Sequence, residues 1–369
     1  MIIFIAFSVI YIGFLLWIRW HWTKIKVLQA TEDTDISFSV LIPIRNESEN
    51  IINLLSDLKR QEYPKEQFEV IIIDDQSSDD SHQKVSDFIR SNDVDWKLIS
   101  VNENDGSGKK YAITSGVSVA KNDYIITVDG DCSVGRKWLA AYATQYALHQ
   151  SKMVTGPVNM RGYGLFQRLQ GLEFSGLIGI GAATLRSGNP TMCNGANLSY
   201  HKATFDEVHG YQGNENIPSG DDEFLLQKIY KRYPDRVSFL KSSDAIVDTQ
   251  AKMTFLDLLS QRIRWSSKWR FHKSFFIKLM AMMVFLNYLS LFMSILEMTQ
   301  NNQWVFLSIV LCLRWVALFY FSYPIAQFFS KKDVLWMSLM IEIIYPFFVI
   351  FLGIASIFGK YSWKGRHYS

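Results

Sequence analysis

Two aspartates flank a glycine at Asp129-Gly130-Asp131, directly after the apolar run Tyr124-Ile125-Ile126-Thr127-Val128. Residues two apart on a strand share a face. With glycine between them at a strand end, both carboxylates can turn toward one hard cation. A divalent ion held this way bridges a diphosphate and neutralises charge that accumulates on a leaving group. Alone, the triplet is more often a surface turn; the strand in front of it points to a site. Asp74 and Asp75 end another apolar run, Val70–Ile73. Asp75 is the candidate to accept hydrogen bonds from a nucleotide base, and its neighbour is left to cap the following helix. Lys109 stands where an ammonium could meet a diphosphate, with Lys110 as its competitor and a solvent-facing lysine as the plain alternative. Asp222, in Asp221-Asp222-Glu223, is the candidate general base. An attacking hydroxyl must lose its proton, and a fixed carboxylate can take it. The acidic neighbours would raise its pKa by like-charge repulsion; alternatively the three form an ordinary acidic helix start. His201, His209 and His272 have no catalytic spacing around them.

These side chains need a scaffold that delivers strand ends to one edge. Ser37–Pro43, Val70–Ile73, Trp96–Val101, Tyr124–Val128 and Met153–Val158 are predicted strands, each a short apolar run. Helical spacing separates them, as in Ile51, Leu54, Leu55 and Leu58, then Val85, Phe88 and Ile89, then 109–120, 137–148 and 221–232. Strands alternating with helices imply an α/β fold with a mainly parallel, mixed sheet covered on both faces. Such sheets bind ligands at the carboxyl ends of their strands. Pro43-Ile44-Arg45-Asn46-Glu47 lacks the glycines of a dinucleotide fingerprint, and Gly106-Ser107-Gly108-Lys109 lacks P-loop spacing. Cys132, Cys193 and Cys312 have neither zinc nor disulfide spacing. Free thiols fit a reducing compartment. The net charge of +3, with no basic patch interleaved with aromatics, gives no reason to expect nucleic acid.

The mean hydropathy of +0.04 averages over two solvents. Between Ile2 and Trp20 the one charge is Arg19, and the flank Trp20, His21, Trp22, Lys24, Lys26 is that of an uncleaved anchor's cytoplasmic end. Further spans are expected at 280–298, 304–328 and 335–358. The uncharged connection Thr299–Gln303 belongs outside, and Ser330–Asp333, with Lys331 and Lys332, inside. The central residues are then cytoplasmic, although four spans would put Lys360, Lys364 and Arg366 outside. The Gly-rich run within Phe166–Leu185 suits a helix at the domain–membrane boundary. Thr254 and Asp257 form a capping box before an interfacial helix with Leu258, Leu259 and Ile263 beside Arg262, Arg264 and Lys268. Arg314 lies inside its span, with Glu297 and Glu342 as candidate partners; a tie between helices and a substrate contact are both open.

Taken together the motifs resemble those of the family 2 glycosyltransferases, specifically the membrane-integrated branch of cellulose, chitin and hyaluronan synthases and ceramide glucosyltransferases. The residues that carry this are Val40-Leu41-Ile42-Pro43 with Asn46-Glu47; Asp74-Asp75-Gln76-Ser77-Ser78-Asp79; Gly108-Lys109 with Ala112; Asp129-Gly130-Asp131; Ser219-Gly220-Asp221-Asp222; and Gln261-Arg262-Ile263-Arg264-Trp265. They cover about 37–270 in the family's order, and the last pattern is rare outside this branch. The resemblance implies a GT-A fold and an inverting single displacement. By resemblance Pro43, Glu47 and Asp75 help hold the donor nucleotide, Lys109 sits near the donor, Asp129 contacts donor groups, and Asp131 ligates Mg²⁺ or Mn²⁺. Asp222 looks like the base that activates the acceptor, with Asp221 beside it where the family has Glu. Gln261, Arg264 and Trp265 would engage the donor diphosphate and acceptor at the membrane surface. Arg45 occupies a position commonly aromatic or small in the family.

The expected organisation is an anchor over 1–22, a cytoplasmic GT-A domain over 30–250, an interfacial amphipathic helix over 251–275, a membrane region over 276–358 and a basic tail over 359–369. The expected reaction moves a sugar from a nucleotide-diphosphate sugar, UDP-sugar by resemblance, to a membrane lipid or lipid-linked glycan acceptor. A processive polysaccharide synthase is the alternative, for which a homo-oligomer would supply missing channel walls. A transporter with a regulatory domain would use Arg314 as a pathway residue but leave the strand-end acids unused.

Overall fold

The computed structural model describes residues 2–31, 34–102, 106–215, 217, 220–358, 361–363 and 366–368. Ser219 of the acidic motif, with Lys360 and Lys364 of the tail, lies outside them. In chain order the helix α1 (Ile2–Lys24) precedes β1 (Phe38–Ile44), α2 (Ile51–Lys59), β2 (Phe68–Asp74), α3 (Ser81–Asn92), β3 (Lys97–Ser100), α4 (Lys109–Val119) and β4 (Tyr124–Thr127). There follow β5 (Ser133–Val134), α5 (Trp138–His149), β6 (Met153–Thr155), β7 (Val158–Arg161), α6 (Leu165–Arg186), β8 (Leu198–His201), α7 (Lys202–Glu207), α8 (Asp221–Arg232), β9 (Val237–Phe239) and β10 (Val247–Gln250). The chain continues with α9 (Phe255–Ser266), α10 (Phe275–Gln300), α11 (Trp304–Phe328) and α12 (Ser338–Phe358).

The chain forms two compact units. Ile25–Met160 and Met192–Gln250 make an α/β unit; Met1–Lys24, Arg161–Thr191 and Ala251–Ser369 make a helical one. Residues 161–191 therefore group with the helices, although they interrupt the α/β unit in sequence.

In the α/β unit every residue of β2 is buried, and so are Val40, Leu41 and Ile42 of β1. Continuous apolar strands of this kind must be covered on both faces. The main sheet has the order β3-β2-β1-β4-β8-β6-β9. Strands β3, β2, β1 and β4 run parallel, while β8 is antiparallel to β4 and β6. Register pairs Ile44 with Asp74 and Leu41 with Thr127. The carboxyl ends of β1, β2 and β4 consequently share one edge, which gathers residues 45–47, 74–75 and 129–131. Strands β5, β10 and β7 form a smaller sheet.

The run Met153–Val158 is two strands rather than one. Gly156 and Pro157 break it, because proline lacks the N–H a ladder needs. A Cβ at Gly156 would sit 2.3 Å from Asn197 Nδ2 and 2.4 Å from the Tyr142 hydroxyl. Asn197 is wholly buried. Its Oδ1 accepts from Trp138 Nε1 and the Tyr142 hydroxyl, and its Nδ2 donates to the carbonyls of Pro157 and Ala245.

In the helical unit α1, α10, α11 and the α12 region are long and apolar enough to cross a membrane, and α6 is not among them. Glycine lets α6 approach α11: a Cβ at Gly179 would lie 2.3 Å from Ile325 Cδ1. Arg314 is wholly buried, and its Nε donates to Glu342 Oε1 at 2.6 Å while Nη1 donates to Asn287 Oδ1 at 2.9 Å. Tyr11 of α1 donates to the other Glu342 oxygen, so the arginine ties spans together.

Asn197→Leu removes one side chain and strands several buried groups at once. Each unsatisfied group costs about 1–3 kcal/mol, so thermal melting of detergent-purified protein should show a fall of several degrees or no folded protein. An unchanged melting temperature would show that the amide is not holding this corner.

Candidate active site

Helix α4 begins at Lys109, behind a Gly108 whose φ of +94 is open to glycine and strained for other residues. The Asp75 carboxylate accepts the Gly108 N–H, at 3.0 and 3.1 Å from its two oxygens. Thus Asp75, the candidate nucleotide ligand, also fixes the start of α4. Asp74 is committed to its own turn, accepting from the Ser77 N–H. Arg45 donates to the carbonyls of Asp75 and Gln76, and so steadies the same strand end.

From this start the Lys109 ammonium reaches across the sheet edge. It lies 2.6 Å from Asp129 Oδ1 and 3.4 Å from Asp221 Oδ2. Burial pulls its pKa down, but the Asp129 and Asp221 carboxylates more than compensate and hold it well above the usual lysine value. Lys110 points elsewhere: its Nζ donates to the Asn214 and Ile217 carbonyls, at 2.6 and 2.7 Å. Of the two lysines, geometry assigns Lys109 to the carboxylates and Lys110 to the loop ahead of α8.

Asp222 stands in the first turn of α8, where unpaired N–H groups favour carboxylates. Its Oδ1 accepts the Glu223 N–H at 2.7 Å, and its Oδ2 the Gly195 N–H at 2.9 Å. These contacts orient the carboxylate at the start of α8. Gly195 escaped sequence reasoning. A Cβ there would lie 2.9 Å from Asp221 Oδ2 and 3.2 Å from Lys109 Nζ. The Thr127 hydroxyl at the end of β4 donates to its carbonyl and holds the segment in place. Asn194-Gly195 is a turn signal, yet nothing in the sequence ties that turn to an acid some 27 positions later.

Gly130 is also a matter of space: a Cβ would come within 3.0 Å of Ile44 Cγ2 and 3.2 Å of Glu47 Cγ. Glu47 is buried and accepts from the Asn50 amide, while its N–H donates to the Ser81 hydroxyl. Pro43 lies within β1, one residue before its end at Ile44. Asp131 accepts weakly from the Cys132 thiol at 3.6 Å. Burial, with the nearby Asp131 and Asp129 charges, raises that thiol's pKa. Among the described residues no group of three or more metal-ligating side chains converges. Mg²⁺ and Mn²⁺ fit nonetheless, because a hard ion in phosphate chemistry takes one or two carboxylates and completes its shell from substrate phosphates and water. With Asp129 engaged by Lys109, Asp131 is the available carboxylate.

Gln261, Arg264 and Trp265 stand on α9 in the helical unit. The Thr254 hydroxyl caps α9, accepting the Asp257 N–H and donating to its carboxylate. Trp265 packs against Phe174, with ring centroids 5.8 Å apart.

Residues 39–209 match the family model for glycosyl transferase family 2. Glycosyltransferase AglE of Haloferax volcanii is 34% identical over 101 residues, 27% of this chain and 32% of that protein. Poly-beta-1,6-N-acetyl-D-glucosamine synthase of Staphylococcus aureus is 28% identical over 262 residues, 70% of this chain and 60% of the relative. The chain thus spans about a third to three-fifths of these curated relatives. A mannosyltransferase from Pyrobaculum calidifontis, solved with GDP-Man and Mn²⁺, superposes with a TM-score of 0.59 over 96% of this chain and 97% of that one. At 17% identity that likeness concerns the fold.

Gly195→Ala should leave the protein folded while pushing Lys109, Asp221 and Asp222 apart, and a displacement near 1 Å costs about 10²-fold in turnover. Product formed per folded protein, with melting temperature as control, measures it; unaltered turnover would mean the contact does not matter. The turnover to be assayed is the one named by the match of residues 39–209 to glycosyl transferase family 2, and the mostly parallel mixed sheet with its helices is a GT-A-like fold.

Proposed function

We propose that the protein transfers a sugar from a nucleotide-diphosphate sugar, UDP-sugar being the donor class, to a hydroxyl of a membrane lipid or lipid-linked acceptor, with inversion. The observation that carries this reading is the meeting of Lys109, Asp129, Asp221 and Asp222 at one sheet edge. Asp222, oriented by the Gly195 and Glu223 N–H groups, takes the acceptor's proton as its oxygen attacks the anomeric carbon. Lys109 supplies fixed positive charge beside the departing diphosphate. Asp75 and the residues after β1 border the nucleotide, and Arg264 and Trp265 serve the diphosphate and acceptor at the bilayer surface. Asp131 would hold Mg²⁺ or Mn²⁺, which when bound neutralises charge on the leaving nucleotide.

Four helices of spanning length among the described residues support a membrane enzyme, and the charge bias of their connections supports a cytoplasmic α/β unit. A second reading, a processive polysaccharide synthase, draws support from the likeness to the staphylococcal synthase over 70% of this chain.

Detergent-purified protein incubated with a panel of nucleotide sugars and native lipid extract, with and without Mg²⁺ or Mn²⁺, should yield by mass analysis a lipid gaining one sugar. A long polymer would replace the first reading with the second. Asp222→Asn should lower turnover about 10²–10⁴-fold, and Asp131→Asn should also abolish the response to added metal. Wild-type turnover in both variants would sink the catalytic assignment.

A further inference from the structure

Arg262 and Trp265 are three apart on α9 and so share a face. Glu173 and Phe174, neighbours on α6, meet them there. The Glu173 carboxylate pairs with Arg262 Nη2, and both side chains are nearly inaccessible, at 12% and 5% exposed. The Phe174 ring lies against Trp265. Within α9 itself the Arg262 guanidinium sits over the Trp265 ring, 4.5 Å from its centroid. A third element joins from α12, where the Tyr345 hydroxyl donates to the other Glu173 oxygen at 2.5 Å.

This arrangement is uneven. Arg262 Nε and Nη1 have no hydrogen-bond partner among the described residues, so the buried guanidinium is held along one edge, by Glu173. Its face is given to the indole. A buried ion pair stabilises a fold no better than apolar residues of the same shape, but taking away one partner leaves the other charge buried and unpaired, which is strongly unfavourable. Remove the carboxylate and no other hydrogen bond among the described residues holds the guanidinium beside Trp265. Glu173 is itself fixed by Tyr345, which lies three residues beyond Glu342, the partner of Arg314. One face of α12 therefore carries both anchors.

We infer that Glu173 is a positioning residue for Trp265: through Arg262 it sets the indole that faces the acceptor, while Tyr345 reports the rotation of α12 to the same carboxylate. The inference rests on the proposed role of Trp265 in acceptor handling. It adds that a carboxylate on α6, outside every sequence motif, governs that handling.

The test uses the full chain in detergent with the donor and acceptor identified by the panel. Glu173→Gln should raise the acceptor KM roughly tenfold while leaving the donor KM and acceptor-independent donor hydrolysis near wild type. Tyr345→Phe keeps the ion pair and should give a smaller change of the same kind, which preserves the test if Glu173→Gln fails to fold. In a double-mutant cycle, Glu173→Gln with Arg262→Gln should cost no more than either change alone. Unchanged acceptor kinetics would overturn the inference. So would a parallel loss of donor and acceptor use that tracks melting temperature, since that marks a simple staple. Trp265→Leu separates the two layers: if it spares acceptor kinetics, the reading of Trp265 fails; if it impairs them while Glu173→Gln does not, only the role of Glu173 fails.

Discussion

The α/β unit depends on one ammonium among carboxylates. Asp129, Asp221 and Asp222 come from the end of β4 and the start of α8, and like charges so placed repel one another. Lys109 touches two of them directly. It can do so because it opens α4, and α4 starts where it does because Asp75 receives the Gly108 N–H. Strand β2, helix α4, strand β4 and helix α8 are thus registered to one another through a single cation. One ammonium among three carboxylates offsets only part of their charge, so the cluster stays net negative and Asp129 remains partly exposed at the sheet edge.

Much of this was legible in the sequence, for a physical reason. Parallel strands buried on both faces are unbroken apolar runs, so Val70–Ile73 and Tyr124–Val128 announced themselves, and whatever polar residues followed had to lie at the sheet edge. The α8 start was legible from Asp221 and Asp222, and the membrane helices from length and apolarity. Lys109 was preferred to Lys110 through the Gly108-Lys109 resemblance, and helical geometry alone would not have separated them. Neighbours on a helix point about a quarter-turn or more apart, and which of them meets the strand ends depends on how α4 lies on the sheet. Lys110 turns instead to the loop carbonyls at 214 and 217.

Several of the groups that stayed hidden act through space they leave empty or through backbone. Gly195 matters for the N–H it offers Asp222 and the Cβ it lacks. Gly156 and Gly179 matter because an amide and an isoleucine occupy their missing side chains' volume. No pattern of residue types encodes the neighbour that fills such a space. The split of Met153–Val158 into two strands has the same origin, since Asn197 comes from forty positions beyond the Pro157 carbonyl it binds.

The helical unit solves the charge problem differently. Arg314 in a span had two readings, and its enclosure by Glu342, Asn287, Ser8 and Tyr11 favours a tie between helices. A charge buried in an apolar surround is costly unless paired, so α11 and α12 cannot rotate independently without separating Arg314 from Glu342. Tyr345 is fixed to that same helix face, and Glu173 to Tyr345. The rotation of α12 is therefore expressed at α9, on the helix that carries Gln261, Arg264 and Trp265. In the α/β unit a lysine fixes where the acids stand; in the helical unit paired charges fix which way a helix faces. Both use the penalty on an unpaired buried charge to make one arrangement much cheaper than its neighbours.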